Sequence, residues 1–225
     1  YKRQADYSAW RGEIHLPKAA LPLINQRDPK ETMFFIRMLY SCLTDADFLD
    51  TAEFMDGRKT EPCADSIETL AEKLDHFCES WFPPKTPLNQ QRCAILRKCQ
   101  QQGDLLKPGL FSLTVPTGGG KTVSSMAFAL HHAKAHGLKR IVYVVPYTSI
   151  IEQNADVFRK ILGDANVLEH HSGVLYDVGE EATPESFRMA KAAENWDIPI
   201  VVTTAVQFFE SLFSNRPSQC RKLHN

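Results

Sequence analysis

The stretch T-V-P-T-G-G-G-K-T, residues 114–122, is the part of the chain from which its fold is deduced. Its end, Gly-Lys-Thr at 120–122, matches the phosphate-loop pattern G-x-x-x-x-G-K-[ST], but Val115 stands where that pattern has its first glycine. Glycines at 118–120 let backbone N–H groups converge on phosphate oxygens, and a helix that begins here adds the partial positive charge of its N-terminus. The stretch therefore predicts a nucleoside triphosphate site between a strand and a helix.

The residue types in this loop predict a role for each position. The Lys121 ammonium would reach the β- and γ-phosphates, and the Thr122 hydroxyl would ligate Mg²⁺. We therefore expect ATP and Mg²⁺ as ligands and Lys121 and Thr122 as catalytic residues. The binding loop would consist of Thr117, Gly118, Gly119, Gly120, Lys121 and Thr122.

The segments around the loop alternate between strand and helix patterns. Short apolar or β-branched runs predict strands, and longer amphipathic segments predict helices between them. This alternation is typical of an α/β fold with a parallel sheet flanked by helices. The predicted strands are 110–115, 141–146, 166–170 and 198–204, and the predicted helices are 88–101, 121–136, 149–162, 184–195 and one that starts at 205.

The first third of the chain has a different pattern. Residues 28–54 predict a helix whose apolar side chains cover nearly every face, which is typical of a helix buried in an all-helical domain. A second helix is expected over 65–82, and P-P-K-T-P at 83–87 indicates a linker. His15 is isolated on an extended stretch, so a surface position is more plausible for it than a metal site.

Composition limits the classes of function. The net charge of the 225 residues is −1, so a nucleic-acid contact would have to be local. The six cysteines form no C-x-x-C pair, which is typical of buried thiols in a reducing cytosol. No apolar run approaches the length of a membrane span. We expect a cytoplasmic protein without membrane contact, and both ends of the chain have the character of cuts through a longer protein.

Four motifs carry a resemblance to a known family. P-T-G-x-G-K-T after an apolar residue resembles motif I of superfamily 2 helicases. V-V-P-Y-T-S-I-I-E-Q-N (144–154), E-H-H-S-G (169–173) and the segment 201–225 resemble motifs Ia, Ib and Ic of the CRISPR-associated helicase–nuclease of type I systems. The resemblance covers most of 86–225 and implies a first RecA-like helicase domain.

In that family, motifs Ia to Ic hold the nucleic-acid backbone. Hydroxyl and amide side chains and helix N-termini do this without reading sequence. The alternative is that the two threonine pairs cap the helices that follow them. For the basic cluster Arg216, Arg221 and Lys222, a solvated surface is at least as plausible as contact with DNA. The residues to which the resemblance assigns strand contact are Thr148, Ser149, Gln153, His171, Thr203, Thr204 and Gln207.

Two further segments resemble parts of such proteins. T-P-L-N-Q-Q-R (86–92) resembles the motif that reads adenine in related helicases, with Gln90 or Gln91 as the reader. Y-S-C-L-T-D-A-D-F-L-D-T-A-E-F (40–54) resembles the end of the family's HD nuclease domain. That resemblance assigns a divalent transition metal to Asp47, or else to Asp45. A helix-end carboxylate that faces water is the alternative.

These patterns predict three parts: the end of an HD metal-nuclease domain at 1–60, a helix and linker at 61–85, and a RecA-like domain at 86–225 that stops before the Walker B motif. The resemblance implies an ATP-driven translocase and nuclease that degrades invading single-stranded DNA with a crRNA-guided, Cascade-type complex. For the chain alone we expect weak nucleotide binding and negligible turnover. The alternatives are another superfamily 2 nucleic-acid-dependent ATPase and a non-catalytic RecA-like docking module.

Overall fold

The computed structural model describes residues 28–56, 64–177, 179 and 183–224, with the side chain of Thr148 excepted. The chain divides into two compact units, Tyr1–Arg37 and Met38–Asn225. In the first unit the described residues are 28–37, which form the start of a helix. The sheet and the remaining helices lie in the second unit. His15 falls outside the described residues.

Twelve elements follow one another along the described residues. Eight are α-helices, three are strands and one is a single 3₁₀ turn at Asp164–Asn166. The helices and strands are α1 (Pro29–Asp56), α2 (Ile67–Glu79), α3 (Pro87–Leu105), α4 (Lys121–Ala135), β1 (Ile141–Val145), α5 (Thr148–Leu162), β2 (Val167–His170), α6 (Pro184–Asn195), β3 (Ile200–Thr204), α7 (Ala205–Phe213) and α8 (Pro217–Cys220).

The three strands form one parallel sheet in the order β1-β3-β2. Ile200 of β3 lies opposite Ile141 on one side and Val167 on the other. Because all strands point the same way, Val145, His170 and Thr204 end at one edge, which we call the carboxyl edge. The predicted α/β class with a parallel sheet flanked by helices is confirmed.

Both faces of the sheet are covered. On one face, buried side chains of α2, α4 and α5 form the larger core, which includes Leu70, Leu130 and Phe158. On the other face, a smaller cluster joins α6 to the sheet and includes Trp196 and Val201. Burial on both faces explains why the strands are β-branched runs without polar alternation. Helix α2 belongs to the larger core, so it packs with the RecA-like part of the chain.

Local sequence signals set the helix ends. Four helices begin behind a hydroxyl side chain that accepts a backbone N–H: Ser66 for α2, Thr86 for α3, Thr183 for α6 and Thr204 for α7. Helix α4 stops as predicted at Gly137, whose φ of 64° suits glycine. None of the described helices is long and apolar enough to cross a bilayer.

The strand predicted over 110–115 is absent, since these residues have no regular secondary structure and join no sheet. Leu110 is 102% exposed and Leu113 is 41% exposed. A strand requires a neighbour that completes its backbone hydrogen bonds. Among the described residues no strand lies beside this segment, so its apolar pattern alone does not form one.

The prediction that the first helix is buried on all sides is wrong for the part that lies in the second unit. Leu39, Leu43 and Leu49 are 54%, 70% and 50% exposed. The buried positions of this part of α1 are instead Ser41, Thr44 and Asp45, at 8% exposure or less. A helix that is apolar all round needs cover on every side, and the described residues cover only the polar stripe.

Candidate nucleotide and nucleic-acid site

The phosphate loop, residues 115–122, is folded around a tight turn. The Gly119 N–H donates to the Pro116 carbonyl at 3.1 Å, which closes a β-turn over 116–119. Gly118, at the third position of that turn, has a φ of 79°. Gly120 has a φ of 83° and is the N-cap of α4. The two positive φ values place the chain so that α4 begins directly at Lys121.

This arrangement fits a phosphate group. The N–H groups of the first residues of α4 have no acceptor within the helix and point out of its N-terminus. Lys121 is exposed at the same point. At Gly119 a Cβ would lie 2.4 Å from Val115 Cγ1 and 3.0 Å from the Pro116 carbonyl oxygen, so a side chain there would displace the loop. The glycines therefore keep side chains away from the backbone donors at the start of α4.

Two residues contact the phosphate loop that the sequence reasoning did not select. Arg92 of α3 donates from Nε to the Gly118 carbonyl at 2.8 Å. Asn154 of α5 is buried and its Oδ1 accepts from the Thr122 hydroxyl at 3.3 Å. Both stand in segments already singled out, as the last residues of T-P-L-N-Q-Q-R and of V-V-P-Y-T-S-I-I-E-Q-N. The sequence signal that could have indicated Arg92 and Asn154 is the polar side chain at the end of each segment.

The residues expected to hold nucleic acid are divided by the structure into exposed and enclosed ones. Ser149 and Gln153 are exposed on α5, and Thr148 is the first residue of that helix. The N-cap of α5 is Tyr147, so a Thr148 cap, which was the alternative interpretation, is wrong for this helix. At α7 the same alternative is confirmed, because Thr204 Oγ1 accepts from the Gln207 N–H at 3.0 Å.

The side chains of Thr203 and His171 are buried and are not available to a nucleic-acid strand. Thr203 is 0% exposed and its hydroxyl donates to the His170 carbonyl at 2.7 Å. His171 is 6% exposed, and both of its ring nitrogens lie within hydrogen-bonding distance of groups in the protein. Nucleic-acid contact by these two side chains is therefore corrected, since Thr203 is buried within β3 and the turn after β2 directs His171 inward.

Glu169 is the centre of a buried polar group at the end of β2. It accepts from Arg159 Nη2 at 2.9 Å and lies 3.0 Å from His171 Nε2. His171 Nδ1 accepts from the Gly173 N–H at 3.1 Å. A backbone N–H can only donate, so the His171 proton is on Nε2 and is directed at Glu169.

Glu152, Glu169 and His171 are close enough together to surround a metal ion. The protonation pattern opposes one, because a ligating histidine normally donates its second ring N–H to an acceptor. Here the second nitrogen faces a donor, the Gly173 N–H. Arg159 also neutralises Glu169. Glu169 and His171 are therefore members of a satisfied internal network, and Glu152 is an exposed neighbour.

His170 connects the carboxyl edge to α6. Its Nδ1 accepts from Trp196 Nε1 at 3.1 Å. Burial lowers the pKa of His170 to about 4, and the positive charge of Lys222 and the neighbouring His171 act in the same direction. The imidazole is therefore neutral at neutral pH, which its role as an acceptor requires.

Residues 84–223 match the model of the family described as Type III restriction enzyme, res subunit, and this match spans more than half of the chain. The chain belongs to this family. Its phosphate loop, its parallel sheet and the helix α4 all lie within the matched residues, which form a helicase-type α/β domain of superfamily 2.

The res-subunit family domain also has a named relative. It is similar to the CRISPR-associated nuclease/helicase Cas3 of Haloferax volcanii, with 34% identity over 143 residues. The alignment covers 54% of this chain and 15% of that protein, so the chain spans a small part of its relative's length. ATP and Mg²⁺ are the general ligands of helicase-type domains, in agreement with the open, donor-lined phosphate loop.

The res-subunit family match does not extend to α1, where the metal ligand was expected. Asp47 is exposed, and among the described residues no group of three possible ligands includes it. Asp45 is 2% exposed and accepts from Arg221 Nε at 2.8 Å. Arg221 also donates to Glu194 at 2.7 Å. Asp45 therefore already has a cation as its partner in the family domain.

The basic cluster near the end of the family domain is largely internal. Arg221 and Lys222 are 4% and 7% exposed, so a solvated surface, one of the two interpretations of this cluster beside DNA contact, is wrong for both. The Arg221 guanidinium lies over the Phe48 ring at 4.6 Å. Burial, assisted by Arg221, lowers the pKa of Lys222 to about 8. Only Arg216 of the three is exposed.

Proposed function

We propose that this chain is the nucleotide-binding part of an ATP-dependent helicase or translocase that moves on single-stranded DNA. The phosphate loop carries the proposal: two glycines with positive φ, a helix N-terminus and an exposed Lys121 together form a cradle for a nucleoside triphosphate. The res-subunit family match supports the helicase class. The similarity to a protein named nuclease/helicase Cas3 supports action in CRISPR interference.

Each loop residue has a part that follows from its position. The amides at the start of α4 would bind the β-phosphate, and Lys121 would neutralise charge on the β- and γ-phosphates. The Thr122 hydroxyl oxygen would offer a lone pair to Mg²⁺ while its proton stays directed at Asn154 Oδ1, so no donor would be left unsatisfied. Hydrolysis of bound Mg²⁺-ATP would supply the free energy for movement. The chain's own residues would orient the phosphates and compensate their charge.

The carboxyl edge is the face proposed for nucleic acid. Ser149, Gln153 and Gln207 offer polar side chains beside the N-termini of α5 and α7. Thr204 holds the first turn of α7 by its cap, and a capped N-terminus also directs amides outward. These groups would bind a phosphate backbone and would not distinguish bases.

We further propose a nuclease activity and a protein partner for a longer protein that contains this chain. In a longer protein of this kind, α1 would end an HD nuclease domain, and Asp47 would contribute to a transition-metal site completed by other residues. A Cascade-type complex would deliver the DNA. This part is supported by the name of the relative and by the resemblance of 40–54.

Binding to the 225-residue chain tests the proposal. Mg²⁺-ATP should raise the unfolding midpoint, as any ligand of the native state does, and Lys121→Ala should remove the effect. A labelled single-stranded oligonucleotide should bind with an affinity that falls as salt rises. Preference for RNA would favour another superfamily 2 ATPase. No stabilisation by Mg²⁺-ATP together with no oligonucleotide binding would favour a docking module.

A further inference from the structure

Arg92 is the cationic side chain that lies against the outer side of the phosphate loop. Its Nε donates to the Gly118 carbonyl at 2.8 Å. Its Nη2 lies 3.9 Å from the place where a Gly118 Cβ would be, and its Cγ lies 4.0 Å from the corresponding place at Gly120. The Arg92 side chain therefore packs along both loop glycines with positive φ, with its guanidinium at Gly118 and its Cγ at Gly120.

The contact holds one particular peptide group. The carbonyl of the Gly118–Gly119 peptide accepts from Arg92, and the N–H of the same peptide donates to Pro116 at 3.1 Å. This peptide is thus held at both ends. Glycines on either side impose little resistance to rotation of the peptide plane. Without Arg92 the carbonyl could turn into the cradle, where its partial negative charge would repel a phosphate.

Helix α3 fixes Arg92 in this position. Thr86 caps the helix by accepting from the Asn89 N–H at 3.2 Å, and Pro87 is its first residue. The Asn89 side chain then accepts from Arg92 Nη1 at 3.4 Å. One turn further along the same face of the helix, Leu96 is 1% exposed in the core shared with α4. The start of α3 and the start of α4 are thereby joined through one guanidinium.

We propose that Arg92 is a positioning residue for the nucleotide site, which keeps the Gly118 carbonyl out of the cradle so that the α4 amides face the triphosphate. This inference rests on the proposed nucleotide binding. It gives T-P-L-N-Q-Q-R a structural role through Thr86, Asn89 and Arg92. Gln90 and Gln91, the residues expected to read adenine, are exposed, and that role stays a prediction for them.

The test compares Arg92→Ala with Arg97→Ala in the 225-residue chain. Arg97 is on the same helix but lies over the Phe82 ring at 4.2 Å, so it matches the loss of charge without touching the loop. We expect the Mg²⁺-ATP dissociation constant to rise about tenfold for Arg92→Ala, because a hydrogen bond from a charged donor is lost. For Arg97→Ala we expect less than a twofold change. Hydrogen exchange of the Gly119 amide should accelerate only in Arg92→Ala.

Arg92→Lys separates positioning from charge. Lysine keeps the positive charge but lacks the planar fork that reaches Gly118 and Asn89 together, so we expect affinity and Gly119 protection close to those of Arg92→Ala. Full recovery by lysine would overturn the proposal. Unchanged Gly119 exchange in Arg92→Ala would also overturn it, even if the wild-type chain binds no nucleotide. Absence of nucleotide binding by the wild-type chain would count against the proposed function alone, provided that exchange of the Gly119 amide still accelerates in Arg92→Ala.

Discussion

At the scale of single residues, the valine at 115 leaves room only for glycine at 119. Val115 stands where other phosphate loops have glycine, and its Cγ1 lies 2.4 Å from the place of a Gly119 Cβ. Gly119 has no positive φ, so the backbone itself would accept another residue there. The requirement for glycine at 119 therefore comes from the neighbouring side chain, since the loop accommodates the valine methyl in the space that glycine leaves.

Gly119→Ala should weaken Mg²⁺-ATP binding, and adding Val115→Ala should restore part of the loss. Overpacking of this kind costs about 1–3 kcal/mol. Recovery should be incomplete, because the Pro116 carbonyl oxygen would still lie 3.0 Å from the new Cβ. Titration of the four proteins of this double-mutant cycle by calorimetry checks the coupling. Strict additivity of the two changes would contradict the dependence.

At the scale of elements, the N-terminus of α7 shows how one residue serves both fold and site. Thr204 ends β3 and caps α7 through the Gln207 N–H. Sequence patterns indicated both a cap and a nucleic-acid contact at this threonine, and the cap is confirmed. At α5 the cap predicted at Thr148 does not form, because Thr148 is the first residue of the helix and Tyr147 is its N-cap.

Thr204→Ala should lower the free energy of unfolding by about 1 kcal/mol, the usual cost of a lost N-cap. Thr204→Ser should be close to wild type, since serine offers the same acceptor. Ser149→Ala, an exposed position in α5, is the matched control and should stay within about 0.5 kcal/mol. Urea denaturation measures all three. A Thr204→Ala protein as stable as Ser149→Ala would argue against the cap.

At the scale of the whole second unit, a buried ion pair joins α1 to the end of the chain. Asp45 and Arg221 are separated by 176 positions, and their side chains are 4% and 5% exposed. Ser41, one turn earlier, donates to the Cys220 carbonyl at 2.5 Å. The pair and this hydrogen bond hold α1 against the segment that contains Cys220 and Arg221.

Asp45→Asn should destabilise the chain by about 3 kcal/mol, because removal of one partner leaves a buried charge with weaker compensation. Glu194 also pairs with Arg221 and should limit the loss. Asp47→Asn, two positions away and exposed, is the control and should change stability by less than about 0.5 kcal/mol. Equal unfolding free energies for the two variants would contradict this docking of α1.

Much of the fold was predictable because it depends on neighbours in sequence. The glycines of the phosphate loop, the hydroxyl at Thr204 and the stop at Gly137 act within one turn of the chain, and the strands β1 and β3 follow from β-branched runs. The segment 110–115 failed as a strand for the opposite reason: its pattern is local, whereas the partner that a strand needs is not.

The candidate site divides in the same way. The sequence by itself determined the phosphate loop, Lys121 and Thr122, since their chemistry is contained in a few consecutive residues. Only the tertiary structure decided that Arg92 holds Gly118, that His171 faces inward to Glu169, and that Asp45 has Arg221 as its partner. These contacts join residues on different elements, and their energies depend on burial and distance, which packing sets and local sequence does not.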